Sequence, residues 1–162
     1  MSPVSSDDAR RRRRLAAEIK DSLRELSNQL SLLNHQVGAH LDLKDVDLDC
    51  LELITRHGPM SPSVVARRTG LHPATMTGIL DRLQRGGWIT RERDPEATDR
   101  RAVTVRAMRD RNAEVFKLYG GMNTKMDAVL AGYSPADLEL LADFLQRTTT
   151  AGQTATSTLA EA

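Results

Sequence analysis

The sequence predicts a mainly α chain with a small two- to three-stranded antiparallel β wing near its centre. Three observations carry that expectation. Long stretches with apolar residues three and four apart lie toward both ends. Between them stand two shorter helical patterns split by Gly70. After Gly86-Gly87 the pattern changes to strand chemistry, Trp88-Ile89-Thr90-Arg91, answered by Arg101-Ala102-Val103-Thr104-Val105.

Taken in order, residues 1–14 read as a disordered basic arm ending in the run Arg10 to Arg14. Over 15–40 the spacing Ile19, Leu23, Leu26, Leu30, Leu33, Val37 alternates four and three. So narrow a seam on so long a helix suits another helix lying along it. A second helix is expected from about Asp45 to His57, with Val46, Cys50, Leu53 and Ile54 on one face. Ser61-Pro62 opens the next helix as N-cap and N1, and Gly70 stops it. His72-Pro73 opens the following one and Gly86-Gly87 end it. A helix over about Arg111 to Leu130 places Leu118, Met122, Met126 and Val129 inward, with a kink at Gly120-Gly121. Ser134-Pro135-Ala136-Asp137 starts the last helix, whose stripe is Leu138, Leu141 and Leu145, widened by Leu140 and Phe144. Residues 149–162, rich in Thr, Ala and Gly, read as a frayed tail. The organisation is thus an arm (1–14), an N-terminal dimerisation helix (15–40), a central lobe (45–106) and C-terminal dimerisation helices (111–148).

The central lobe has the plan of a winged helix-turn-helix, a shape that fits a DNA groove. In its second helix Met76, Ile79, Leu80 and Leu83 recur at i, i+3, i+4 and i+7 and share a buried face. Ala74, Gly78, Asp81 and Arg85 point away at 100° per residue. A helix in a major groove reads bases mainly with its N-terminal residues. Here those are His72, Ala74, Thr75, Thr77 and Gly78, with Arg82 on the flank. Small side chains allow close backbone approach, and Thr can hydrogen-bond base edges or touch a thymine methyl. An ordinary amphipathic helix would show the same phase, and charge separates the two readings. Residues 61–106 hold nine Arg and no Lys against five acidic residues, while the whole chain carries only +1. That excess is the footprint of a phosphate partner. Arg91, Arg93, Arg100 and Arg101 on the wing, with Ser61, Arg67 and Arg68 at the first helix of the motif, are the candidate contacts. Two copies paired through Ile19, Leu23 and Leu26, and through Leu138, Leu141 and Leu145, would cover the terminal stripes. Such a homodimer would set two reading helices on a pseudo-palindrome with half-sites ~34 Å apart.

Other classes are poorly served. Aromatic residues make up 3% of the chain, too few for a large aromatic cofactor or sugar site. There is no apolar run of membrane-spanning length and no apolar signal core, so a cytoplasmic protein is expected. A single cysteine precludes an internal disulfide or a cysteine-based zinc site. No glycine-rich phosphate loop, nucleophile elbow or metal-ligand cluster is found, so no enzyme, cofactor or metal is expected. Two further readings stay open: a nonspecific or architectural DNA binder, and redox sensing through Cys50. The second is opposed by the apolar stripe that Cys50 shares and by flanking Asp49 and Glu52, since burial and negative charge both raise a thiol pKa. A winged helix serving protein contacts alone would not need the wing arginines.

From about Leu15 to Arg147 the residues resemble the MarR family of bacterial transcriptional regulators. The resemblance is carried by Val65-Ala66-Arg67-Arg68-Thr69-Gly70-Leu71, Thr75 to Leu83, and Gly87-Trp88-Ile89-Thr90-Arg91. It extends to Asp99 and Arg101, similar to that family's Asp-x-Arg wing signature, and to Tyr133-Ser134-Pro135 with Leu138 and Phe144-Leu145. It implies a dimeric repressor whose wing inserts Arg101 or Arg100 into the minor groove, with Asp99 orienting that Arg by an ion pair. It also implies release by a small phenolic or anionic effector, near His35, His57 and Met60. His35 and His57 equally fit exposed helix residues with no ligand. Three positions depart from the pattern. The tip Asp94 to Asp99 is about two residues longer than the family's common Asp-Pro-x-Asp form. Ala107-Met108 replaces Leu-Thr, leaving Asp110 as the candidate cap of the next helix. Gly78 stands where a polar reader is usual.

Overall fold

The computed structural model describes residues 6–93, 96–99 and 102–161. Six helices and two strands follow in the order α1 (Ser6–Leu41), α2 (Asp45–His57), α3 (Pro62–Thr69), α4 (Pro73–Arg85), β1 (Ile89–Arg93), β2 (Val103–Ala107), α5 (Arg109–Leu130) and α6 (Pro135–Ala160). Two compact units are distinguished, residues 1–49 and residues 50–162. Among the described residues no helix is long and apolar enough to cross a membrane.

The first unit is dominated by α1. It begins at Ser6, inside the arm expected to be disordered. Asp7 and Asp8 in its first turn complement the positive end of the helix dipole, and Ala and Arg are strong helix formers. The helix ends in a tight corner. Asp42 takes a left-handed φ of 54°, and the Leu43 N–H donates to the Gly38 carbonyl at 2.9 Å. A Cβ on Gly38 would lie 2.8 Å from the Leu43 carbonyl oxygen, so only glycine fits without a shift. His35 Nδ1 lies 3.0 Å from Asp45 Oδ1, across the same corner. The buried arc of α2 differs from the expected stripe. Asp47, Leu48, Cys50, Leu51 and Ile54 are buried, while Val46 and Leu53 are only half-buried. A core-facing helix buries an arc of 100° or more, which a single line of residues understates.

The second unit builds its core on the helix-turn-helix. α3 packs on α4 and β2, and α4 packs on β1. Cys50, Leu51, Ile54, Val65, Met76, Ile79, Leu80, Leu83, Trp88, Ile89 and Val105 are all buried to 2% exposure or less. The strands pair antiparallel from Ile89 opposite Ala107 to Arg93 opposite Val103. The third strand reduces to one bridge, in which Met60 and Val105 exchange hydrogen bonds of 3.2 and 2.8 Å.

At the C-terminal end, α5 runs through Gly120-Gly121 without a break in its helical assignment. About 1 kcal/mol per glycine is a small cost in a helix of 22 residues. Its N-cap is Met108 with no side-chain cap bond, and Asp110 sits inside the first turn rather than capping it. α6 opens with a full capping box: the Asp137 N–H donates to Ser134 Oγ, and the Ser134 N–H donates to Asp137 Oδ2. Those hydrogen bonds, the Ser134 hydroxyl first and its backbone N–H second, hold the Asp137 carboxyl below its ordinary value of 3.8. The helix continues to Ala160 through the segment expected to fray. Thr149, Thr150, Thr154, Thr156 and Thr158 each donate a hydroxyl hydrogen to the carbonyl four residues back, so these hydroxyls are satisfied within the helix.

Candidate nucleic-acid interface

The reading helix is held at both ends. At the start of α3, Ser61 Oγ accepts from the Val64 N–H at 3.3 Å and Pro62 occupies N1. Gly70 ends α3 with φ 69°, and the Leu71 N–H returns to the Ala66 carbonyl at 3.1 Å. His72 then caps α4, its Nδ1 accepting from the Ala74 N–H at 3.1 Å. Accepting at Nδ1 leaves Nε2 as the ring's donor. One face of α4 is closed: Met76, Ile79, Leu80 and Leu83 are 1% exposed or less. The opposite phase is open, with His72, Ala74, Thr75 and Thr77 exposed and Gly78 half-buried.

Two details change what this face offers. The Thr77 hydroxyl donates to the Pro73 carbonyl at 3.0 Å, so outward it presents lone pairs and a methyl group. Arg82 folds toward Gly78, where an added Cβ would lie 3.6 Å from Arg82 Nη1. That is an ordinary van der Waals distance, so the guanidinium lies beside Gly78 without requiring a glycine there. Around the helix, Arg67, Arg68, Arg85 and Arg93 are exposed.

Arg91 is engaged within the lobe. Its Nη1 donates to Asp81 Oδ1 and to Gln84 Oε1, both at 2.8 Å, and its side chain is 28% exposed. It braces β1 against α4. Arg106 pairs with Glu92 across the ribbon. Asp99 is described, and its carbonyl accepts from the Ala102 N–H at 3.0 Å. Arg100 and Arg101, the minor-groove candidates, lie outside the described residues.

A joint that the sequence reading did not anticipate ties the lobe to α5. The Arg111 guanidinium sits 4.2 Å from the Trp88 ring centroid, and its Nε donates to the Gly86 carbonyl at 3.2 Å. Glu114 holds the same guanidinium at 2.7 Å. Asn112, 4% exposed, donates to the Met108 and Trp88 carbonyls at 2.7 and 3.4 Å. The only hint in sequence is a Trp immediately after Gly86-Gly87 and an Arg-Asn pair just after the ribbon.

Each residue named for an effector has its own local setting. His57 is exposed, Met60 is buried in the β bridge, and His35 pairs with Asp45. A groove of about 810 Å³ opens between the end of α2, the segment Arg106–Asp110 and Phe116. Cys50 is fully buried. Among the described residues there is no group of three or more His, Cys, Asp or Glu able to hold a metal.

Comparison with known proteins places this arrangement. Residues 43–103, from just before α2 to the first residue of β2, match the model of the MarR family. The HTH-type transcriptional regulator YcgE of Bacillus subtilis is 28% identical over 116 residues, 71% of this chain and 74% of YcgE. The HTH-type transcriptional repressor YetL of the same organism is 29% identical over 92 residues, and the match spans about half of each chain, 54%. Among solved structures, Streptococcus pneumoniae FabT in complex with DNA has the same fold, with a TM-score of 0.66 at 17% identity, covering 86% of this chain and 99% of FabT. The matched segment takes in the helix-turn-helix and the first strand of the ribbon whose geometry is given above, and over these residues the chain carries a lobe of the MarR winged helix-turn-helix type.

Proposed function

We propose that the chain is a sequence-specific DNA-binding repressor that acts as a homodimer on a pseudo-palindromic operator. One observation carries the reading: α4 buries one face completely and leaves Ala74, Thr75 and Thr77 open at its N-terminal end. That is the end with which a groove-bound helix meets base edges. With its hydroxyl hydrogen used internally, Thr77 is suited to accept from an adenine or cytosine amino group, or to pack on a thymine methyl. FabT in complex with DNA and the repressor YetL support the assignment by likeness. Arg67, Arg68 and Arg93, with Arg100 and Arg101 on the wing, supply the phosphate and minor-groove contacts.

Exposed apolar side chains support the dimer. Ile19 and Leu26 on α1, Met126 and Val129 on α5, and Leu140 and Leu145 on α6 are each 43% exposed or more. Apolar stripes on long helices are what a second copy would cover. Release by an effector is part of the same proposal. The groove beside Phe116 offers a ring contact and two arginines, Arg106 and Arg109, to a small phenolic or anionic molecule. Such a molecule acts only by binding one spacing of the reading lobes better than another.

The test is selection from a random duplex library with purified protein at near-physiological salt. Recovery of a pseudo-palindrome with half-sites about one helical turn apart is expected. Salt-sensitive binding with no motif would replace this reading with a nonspecific DNA coater. Absence of DNA binding would leave a winged helix used for protein contacts.

A further inference from the structure

The run Arg10 to Arg14 is not used by the helix-turn-helix, and it is helical. Each of the five side chains is exposed. At 100° and 1.5 Å per residue, five consecutive arginines girdle the helix within about 6 Å along its axis. The acids within a turn of the run are Asp7 and Asp8 before it and Glu18 four residues after Arg14, three against five arginines, and the Arg10–Asp7 pair is 4.0 Å apart with side chains 75% and 87% exposed. Arg10 with Arg13 and Arg14, and Arg11 with Arg14, fall at spacings where like charges repel on a helix. The segment therefore concentrates a net positive charge within a little over one turn of helix.

The shape of that charge selects its partner. A membrane or a folded protein surface meets one side of a helix, whereas a girdle spends its charge on all sides. A duplex major groove is about 12 Å wide, admits a helix, and carries phosphates on both walls. Between Ser6 and Arg14 there is no large apolar side chain to sink into a bilayer. Each cation in the run is Arg, whose planar fork matches phosphate oxygens. We propose that the first turns of α1 form a second, sequence-independent DNA contact that grips the phosphate backbone through Arg10 to Arg14. This rests on the reading of the chain as a DNA binder.

The experiment compares the full-length protein with a variant carrying Gln at all five positions, on a long random-sequence duplex, between about 50 and about 200 mM salt. Gln keeps helix propensity while removing charge. Each phosphate contact adds about 0.9 to the slope of log affinity against log salt, so the slope should fall by roughly 2 to 4.5. A variant with Lys at the five positions should keep most of it. Circular dichroism and sedimentation confirm that the variants stay helical and dimeric. An unchanged slope in the Gln variant, while R101A weakens binding, overturns the arm and leaves the lobe reading standing. If the wild type fails to bind any duplex, both fall. Loss of slope in the Lys variant as well removes charge as the cause. Binding to phosphatidylserine vesicles, lost in the Gln variant while DNA binding is not, would assign the arm to a membrane instead.

Discussion

Replacing Arg91 by alanine separates two roles that its sequence position leaves confounded. As a DNA contact, its loss would weaken binding and leave the fold untouched. The structure instead ties its Nη1 to Asp81 and Gln84, both at 2.8 Å, joining the first strand of the ribbon to the exposed flank of α4. A hydrogen bond to a charged group contributes about 1.5–3 kcal/mol, and the Asp81 side chain is 49% exposed, so solvent screening lowers the expected cost to about 1–2 kcal/mol. For a chain of this size that is a fall in Tm of roughly 2–8 °C. The assay is thermal denaturation of R91A, D81A and the double variant. A coupling of about 1 kcal/mol or more is expected, because the two side chains share one interaction. The salt dependence of DNA binding should keep its slope, since no phosphate contact is lost. An unchanged Tm, an additive cycle and a slope reduced by about 0.9 would together refute the bracing role and return Arg91 to the phosphates.

Four further outcomes are expected. Thr77→Val keeps the methyl and removes the oxygen, so library selection should show altered base preference at one position per half-site, with a change of about 1–3 kcal/mol for the affected base; a uniform loss across all sequences would count against base reading. Asn112→Leu removes a buried donor shared by two carbonyls and should cost about 1–3 kcal/mol in urea denaturation; equal stability would show the joint to be incidental. Gly38→Ala drives a Cβ into the Leu43 carbonyl oxygen, and the strain of about 1–3 kcal/mol should outweigh the gain of about 1 kcal/mol in helix propensity; a stabilised variant would mean the corner relaxes freely. The Asp137 carboxyl is lowered by its bonds from Ser134. Its contribution is therefore complete above the ordinary value and is lost as pH falls through the lower folded value. NMR titration should place it below 3.8, and the displacement should vanish in S134A.

How much of this was readable in advance depended on whether the cause was local. Met76, Ile79, Leu80 and Leu83 could be read because a helix repeat turns sequence spacing into a face. Ser61, Gly70 and Ser134 could be read because caps use nearby residues only. The start of α1 and the extent of α6 were misjudged because composition was weighed instead of bonding. An arginine run continues a helix readily, and threonines can satisfy their hydroxyls on the carbonyl four residues back without leaving it. The Arg91 brace and the Trp88–Arg111–Asn112 joint depend on partners 7 to 25 positions away, which no periodicity reveals. The groove beside Phe116 has no signature in sequence, because its walls come from the end of α2, the segment after β2 and the first half of α5.

Trp88 has a use beyond packing. It is the only tryptophan in the chain, it is 2% exposed, and a guanidinium stands over its ring. Its fluorescence therefore comes from a single known position between the end of the reading helix and the start of α5. Any event that opens that joint admits water to the indole and shifts its emission to longer wavelength. Ligands, operators and variants can thus be compared with the unlabelled protein at micromolar concentration, and a stopped-flow trace would time the movement of the joint directly.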